Sequence, residues 1–239
     1  MAVIRPIVLH KARFVLDALE HYDIRSFADL GGSWGVNGGY SYQAMLAFPI
    51  ERAYMVDDFD PQHLHERFKP YANFSIIKGS FGLPETVRAL PDVDALFLFD
   101  ILLHQVDPDW GNILEFYAPK AKTILIYNQQ WIGSANTVRL LDLGPEAYLA
   151  NTPFAAGDPA TARAAVDQIY AERRSRRDRF GGKNREDWPD IWQWGITDPD
   201  LIAKMWSLGF KLDRMENYGL FSPAMKHFEN HGFWFSRRG

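Results

Sequence analysis

The chain reads as an α/β protein, a doubly wound and mostly parallel sheet with a helical insertion after the fifth strand. Three observations predict this. Apolar runs recur at 26–30, 52–56, 74–77, 95–99 and 123–127, helix-length connections separate them, and the first run ends in a glycine-rich loop, Asp29-Leu30-Gly31-Gly32-Ser33-Trp34-Gly35. Strands alternating with helices form parallel sheets through right-handed crossovers, and ligands bind such sheets at the carboxyl ends of the strands.

Residues 7–22 place Val8, Phe14, Val15, Ala18 and Leu19 near helical spacing, which predicts an amphipathic leading helix. Beyond the loop, Gly38-Gly39 precede a helix from Tyr40 to Phe48. The second strand stops at Asp57-Asp58, and Pro61 suits the first turn of a helix reaching Phe68. The third strand runs into Lys78-Gly79-Ser80, and Pro84 opens a helix to Leu90. The fourth, Ala95-Leu96-Phe97-Leu98-Phe99, is apolar throughout, as expected of a strand covered on both faces.

Residues 134–196 break the alternation with helical pieces at 137–143 and 159–174 and a charged, tryptophan-rich stretch. They read as an insertion, a substrate lid or a dimer contact, within one domain spanning 1–239. Asp198-Pro199-Asp200 starts a further helix carrying Leu201, Ile202, Met205 and Leu208, and Gly209 ends it. Residues 210–217 and 232–237 then read as two last strands joined by 218–231, bringing the sheet to seven.

The composition narrows the function. With 47% hydrophobic and 15% aromatic residues, the 239-residue chain can bury a sizeable core. No segment has the length of uncharged apolar sequence that a membrane span needs, and the N-terminus lacks a secretory pattern, so a soluble, cytoplasmic protein is expected. The absence of cysteine excludes a thiol nucleophile and a thiolate zinc site. A formal charge of −4 gives no global attraction to nucleic acid.

A tight turn after the first strand needs glycine so that backbone can approach a ligand. A dinucleotide fingerprint would read G-x-G-x-x-G, but Ser33 stands at the second glycine and an acid precedes Gly31 by two residues. The loop instead resembles motif I of class I S-adenosylmethionine (SAM) dependent methyltransferases, an acid followed by glycines at alternate positions. The resemblance covers about residues 10–130, with a continuation at 198–238. It implies that Gly31, Gly32, Ser33 and Gly35 line the methionine and ribose of SAM, with Asp29 near the methionine ammonium. It places Asp57 on the ribose hydroxyls, with Asp58 as the alternative, and Ser80 and Phe81 at the adenine.

Asp94-Ala95-Leu96-Phe97-Leu98-Phe99-Asp100-Ile101-Leu102-Leu103-His104 resembles the fourth motif of that family, a strand followed by a short apolar helix bearing histidine. By that resemblance Asp100 and Ile101 sit at the methionine end of SAM. Methyl transfer needs an aligned acceptor and often a proton acceptor, and His104 is the first candidate base, since imidazole accepts a proton near neutrality. The bland alternative is a helix histidine bonded to backbone. His227 and His231 are competing bases, whereas His63 and His65 read as a solvated helix face. After the fifth strand, Asn128, Gln129 and Trp131 offer amides and an indole to a substrate, with His227 nearby. Tyr127 precedes Asn128 where metal-dependent relatives carry Asp-Asn, so no obligatory metal is expected.

Five arginines at 173–179 suit an anion, a partner or a solvated helix end, and Gly181-Gly182 suit a moving lid. Trp188, Trp192 and Trp194, with Tyr170 and Phe180, suit either a stacking surface or packing of the insertion onto the sheet. The expected activity is SAM-dependent methylation of a hydroxyl on a small molecule, a sugar or a secondary metabolite, and a homodimer is a further expectation. A SAM-binding protein without turnover, an RNA methyltransferase and a nicotinamide enzyme are the alternatives. The RNA reading is disfavoured because no Asn/Asp-Pro-Pro-aromatic sequence follows the fourth strand.

Overall fold

The computed structural model describes residues 6–59, 62–179 and 191–239, and of 173–179 the backbone alone. The expectations at Pro61, Phe180, Gly181-Gly182 and Trp188, and the side chains of the arginine cluster, lie outside the described residues. The leading helix α1 (Leu9–Tyr22) is followed by β1 (Ser26–Leu30), α2 (Gly39–Ala47), β2 (Arg52–Asp57), α3 (Gln62–Phe68) and β3 (Phe74–Lys78). Next come α4 (Pro84–Ala89), β4 (Val93–Phe99), α5 (Trp110–Tyr117) and β5 (Ala121–Trp131). The insertion holds β6 (Val138–Arg139), α6 (Pro145–Ala150), α7 (Pro159–Arg179) and β7 (Trp194–Gly195). Helix α8 (Asp198–Ser207) and the hairpin of β8 (Phe210–Ser222) and β9 (Met225–Arg237) complete the chain.

The main sheet has seven strands in the order β3-β2-β1-β4-β5-β9-β8. β1 to β5 are mutually parallel, β9 runs antiparallel to β5, and β8 antiparallel to β9. Strand order reverses between β1 and β4, so the crevice for a ligand opens over the Gly31 loop and the end of β4. Leu30 stands beside both Val56 and Leu98 in the register, which fixes where these strands end.

Because strand side chains alternate, the sheet has two apolar faces, and helices cover both. On one, α1 and α2 bring Phe14, Leu19, Tyr40 and Met45 onto Phe27, Phe97 and Leu125. The rings of Phe27 and Phe97 stack at 4.7 Å. On the other, Ile113, Leu114, Leu201 and Met205 of α5 and α8 pack on Leu30, Leu96 and Ile126. Burying each such side chain stabilises the fold by roughly 1.5–3 kcal/mol.

Four expectations need correction. Val8 is exposed and precedes α1, whose buried stripe instead runs Lys11, Phe14, Val15, Ala18 and Leu19. Residues 137–143 do not form a helix: Val138–Arg139 pairs with Trp194–Gly195, and a 3-10 turn follows. The loop expected at 218–231 belongs to the hairpin, in which Ser222 pairs with Met225 across a two-residue turn. β5 continues to Trp131 because Asn128, Gln129 and Gln130 pair with His231, Asn230 and Glu229 of β9, so these amides lie within a strand. Among the described residues, no helix is long and apolar enough to cross a membrane.

Candidate active site

The loop between β1 and α2 is built around missing side chains. Gly31 adopts φ +74°, and a Cβ there would meet Ile101 Cγ2 at 2.7 Å and Phe81 Cε1 at 3.6 Å. Three residues singled out in the sequence, from the ends of β1, β3 and β4, therefore converge on one point. A Cβ on Gly32 would stand 2.3 Å from the Asp29 carboxylate, so that acid lies directly under the loop. Asp29 is almost fully buried and accepts a hydrogen bond from Ser41 Oγ at 2.6 Å. Burial pushes its carboxyl up to about 7, with the charge of Asp57 adding to the rise and Ser41 and Lys11 opposing it.

Ser33 is buried at the centre of the loop, and its backbone N–H donates to Asp57 Oδ2 at 3.0 Å. Asp57 Oδ1 accepts from the N–H of Phe59, also at 3.0 Å. Burial raises the Asp57 carboxyl, while these two amides pull it down. Each of its oxygens thus accepts one backbone N–H, which latches the loop and leaves a further lone pair on each oxygen. Asp58, just past the end of β2, is exposed. Gly35 is half-buried at the far side of the loop, where Arg67 of α3 donates to the carbonyls of Val36 and Asn37. After β3, Ser80 is exposed and accepts from the Gly82 N–H, and Phe81 is half-buried over Gly31.

At the end of β4, Asp100 takes a left-handed backbone conformation, φ 57°, and its N–H donates to the Tyr127 carbonyl. Its carboxylate is held from two sides. Lys11 Nζ pairs with Oδ2, and Gln129 Nε2 donates to Oδ1 at 2.8 Å. Gln129 also donates to Asn230 Oδ1 at 3.2 Å, so β4, β5 and β9 share one polar row. The Lys11 ammonium lies 4.4 Å from the ring centre of Tyr127, 5.1 Å from Tyr40 and 5.2 Å from Phe99.

His104 ends a single 3-10 turn, Leu102–His104, rather than a helix. Its Nδ1 lies 2.8 Å from the Ile191 carbonyl. A carbonyl only accepts, so Nδ1 carries the proton and the neutral ring has its lone pair on Nε2. The other histidines differ. His227 Nδ1 is 2.7 Å from Asn151 Oδ1, which ties it to the insertion. His231 is buried between Asp198 at 2.9 Å and Glu229 at 3.2 Å, both ring nitrogens engaged. Burial alone would lower its pKa, but the hydrogen bond and charge of Asp198, then those of Glu229, outweigh it and raise it. A buried imidazole locked between two carboxylates is no general base, and His231 leaves the candidates.

Two residues expected at a substrate are sealed inside. Asn128 is fully buried, with Nδ2 donating to the Gln129 carbonyl. Trp131 is 6% exposed, its indole over Gly195 and its Nε1 donating to Ser134 Oγ, which leaves no face for stacking. Trp192 and Tyr170 pack in a core that joins Leu140, Leu141 and Tyr148 of the insertion to Trp131 of β5 and Phe228 of β9. Trp194 Nε1 donates to the Gln105 carbonyl. The described part of the aromatic cluster therefore packs the insertion onto the sheet. A cavity of about 360 Å³ remains there, lined by Tyr148, Thr152, Phe154, Ala165, Ile191 and Trp192. Its wall residue Ile191 is the one that holds His104.

Sequence reasoning missed Lys11, Ser41 and Asn230. Lys11 did leave a signal: it is the one charged residue on the buried stripe of α1. Its partners come from 40, 99, 100 and 127, so only the fold brings them together.

No protein-family model matches the chain, and no curated protein is similar to it in sequence. Solved structures are similar in fold. The N-terminal domain of EvdMO1 with S-adenosylhomocysteine (SAH) bound superposes with a TM-score of 0.56 at 12% identity, covering 95% of this chain and 81% of that one. The 1,6-didemethyltoxoflavin-N1-methyltransferase of Burkholderia thailandensis, with its acceptor and SAH, gives 0.58 at 10% identity, covering 97% and 78%. The mitomycin 7-O-methyltransferase MmcR gives 0.51 at 15%, covering 96% of this chain and 54% of that one. With its sheet order and the glycine loop at the strand reversal, this chain has the class I methyltransferase fold.

Proposed function

We propose that the protein is a SAM-dependent methyltransferase that methylates a hydroxyl of a small molecule. The observation that carries this is the pair of acids behind the glycine loop. A phosphate-binding loop turns its amides outward to an anion. Here the Ser33 amide is already bonded to Asp57, and Asp29 lies under Gly32, so the loop favours a cation over a pyrophosphate. SAM carries a sulfonium and an ammonium.

The residues fit that cofactor. Gly31 and Gly32 leave backbone bare where a Cβ would fill the cradle. Gly31, Gly32, Ser33 and Gly35 would hold the methionine and ribose, with Asp29 near the ammonium. Asp58, exposed at the strand end, would accept the ribose hydroxyls in place of Asp57, which is buried and latches the loop. Ser80 and Phe81 would face the adenine, and Asp100 and Ile101 the methionine end. The bound cofactor supplies an electrophilic methyl group on a positively charged sulfur. The protein's part is to orient the acceptor and take its proton, and His104 suits this, with Nδ1 anchored and Nε2 the basic nitrogen.

A small acceptor is supported by the insertion cavity, whose volume lies in the range of ligand sites and whose wall abuts His104. Two of the similar folds are named for methylating small molecules, one at nitrogen and one at oxygen. The histidine base favours oxygen, because a hydroxyl must lose its proton to become a good nucleophile. The test is SAH release from SAM across pools of hydroxylated small molecules. Wild type should consume SAM with at least one pool and His104→Gln should be strongly impaired. SAM binding with no turnover in any pool would replace transfer by binding alone.

A further inference from the structure

Burying an ammonium costs several kcal/mol unless it is paired, so Lys11 needs a reason to sit on the apolar stripe of α1. Three ring faces, from α2, β4 and β5, surround it, and Asp100 takes its charge. The pair is asymmetric: the Lys11 side chain is 4% exposed and that of Asp100 43%. The ammonium is therefore inside the protein and the carboxylate is half-exposed at the carboxyl end of β4, fixed in direction by Gln129.

We propose that Lys11 is a positioning residue that sets how strongly the site prefers the cationic methyl donor over its neutral demethylated product, by offsetting the charge of Asp100. This rests on the methyltransferase reading above, with Asp100 at the methionine end. SAM and SAH share the adenosine, the ammonium and the carboxylate and differ in the methyl and the positive charge it gives the sulfur, so a protein charge near the sulfur acts on one and not the other. An unopposed Asp100 carboxylate would draw in the sulfonium. Lys11, directly behind it, subtracts from that attraction, and an effective dielectric well below that of water lets both charges be felt nearby. The pair keeps the donor preferred without making that preference extreme, and turns Asp100 into an oriented acceptor rather than a free charge.

The experiment is calorimetric titration of SAM and of SAH into wild type, Lys11→Met, Asp100→Asn and the double variant. Methionine keeps an unbranched side chain, one atom shorter and uncharged, with favourable sulfur–ring contacts, so it suits the cage. Removing the ammonium should raise the ratio Kd(SAH)/Kd(SAM) by about threefold or more, and removing the carboxylate should lower it by a similar factor. In the double variant the ratio should return to within about twofold of wild type. A purely structural role would weaken both ligands together and leave the ratio unmoved in both single variants, which overturns the proposal. If Lys11→Met does not fold, Lys11→Gln, which also removes the charge, takes its place and is expected to raise the ratio in the same way. If wild type binds neither ligand, the methyltransferase reading itself falls, and this proposal with it.

Discussion

The Asp29 carboxylate lies against the α-carbon of Gly32, where a Cβ would stand 2.3 Å from Oδ2 and 2.6 Å from Oδ1. Gly32→Ala must therefore move either the loop or the buried acid. The expected loss of stability is about 1–3 kcal/mol, the usual cost of overpacking. The stabilisation by SAM should disappear with it. Thermal unfolding with and without SAM checks both, and a full cofactor shift in the variant would show that the loop is not the binding element.

Asp29 also makes a prediction in pH. Its folded pKa, about 7, lies above the ordinary 3.8, so between these values the folded state holds a proton that the unfolded chain has lost. The contribution of this group to stability therefore falls as pH rises from about 4 to about 7 and levels off beyond. Asp29→Asn should flatten that slope in the unliganded protein, with the remaining slope of the same sign owed to Asp57 and, above about pH 6.5, to His231. Urea unfolding at several pH values from 5 to 8 measures it, and an unchanged slope would mean that Asp29 is ionised throughout.

His231 acts with the same sign in pH, but by favouring a charged form rather than disfavouring one. Its pKa is raised above 6.5, so the stability it adds is fully present below that value and is lost as pH rises through the folded pKa. His231→Gln should cost about 2 kcal/mol at pH 6, the order of a charge-assisted hydrogen bond, and progressively less at alkaline pH. Equal losses at pH 6 and pH 9 would mean that the ring is neutral.

His104→Gln should lower kcat by about 10²–10⁴ while leaving the affinity for SAM within about twofold. It should also remove the acidic limb of the pH–rate profile. A variant that keeps its rate would leave His104 only the structural role of its bond to the Ile191 carbonyl.

Asp57 and Asp58 are predicted to separate. Asp57→Asn can accept from only one of the Ser33 and Phe59 amides and should reduce both stability and SAM affinity, whereas Asp58→Asn should weaken SAM with little effect on stability. Differential scanning fluorimetry over a SAM titration distinguishes them, and SAM affinity unchanged in Asp58→Asn would return the ribose contact to Asp57.

What the sequence showed clearly was what local chemistry decides. The five parallel strands and the loop were legible because apolar runs and glycine turns are written in contiguous residues. The pairing of Val138 with Gly195 was not, since a two-residue strand has no periodicity and depends on a partner far away in the chain. The long β8–β9 hairpin was hidden because much of β8 is exposed at the sheet edge and carries polar residues. In the site, Gly31, Phe81 and Ile101 were each read singly, and the structure shows them meeting. Asn128 and Trp131 were misread because β5 runs four residues past its apolar stretch, which turns an apparent loop into buried strand.

The most direct test of the central claim, that a loop backed by two acids selects a cationic cofactor, is calorimetric titration of the wild-type protein with SAM and, separately, with NAD. Saturable one-to-one binding of SAM and no heat from NAD is the expected result. Binding of NAD, or no binding of SAM, would contradict it.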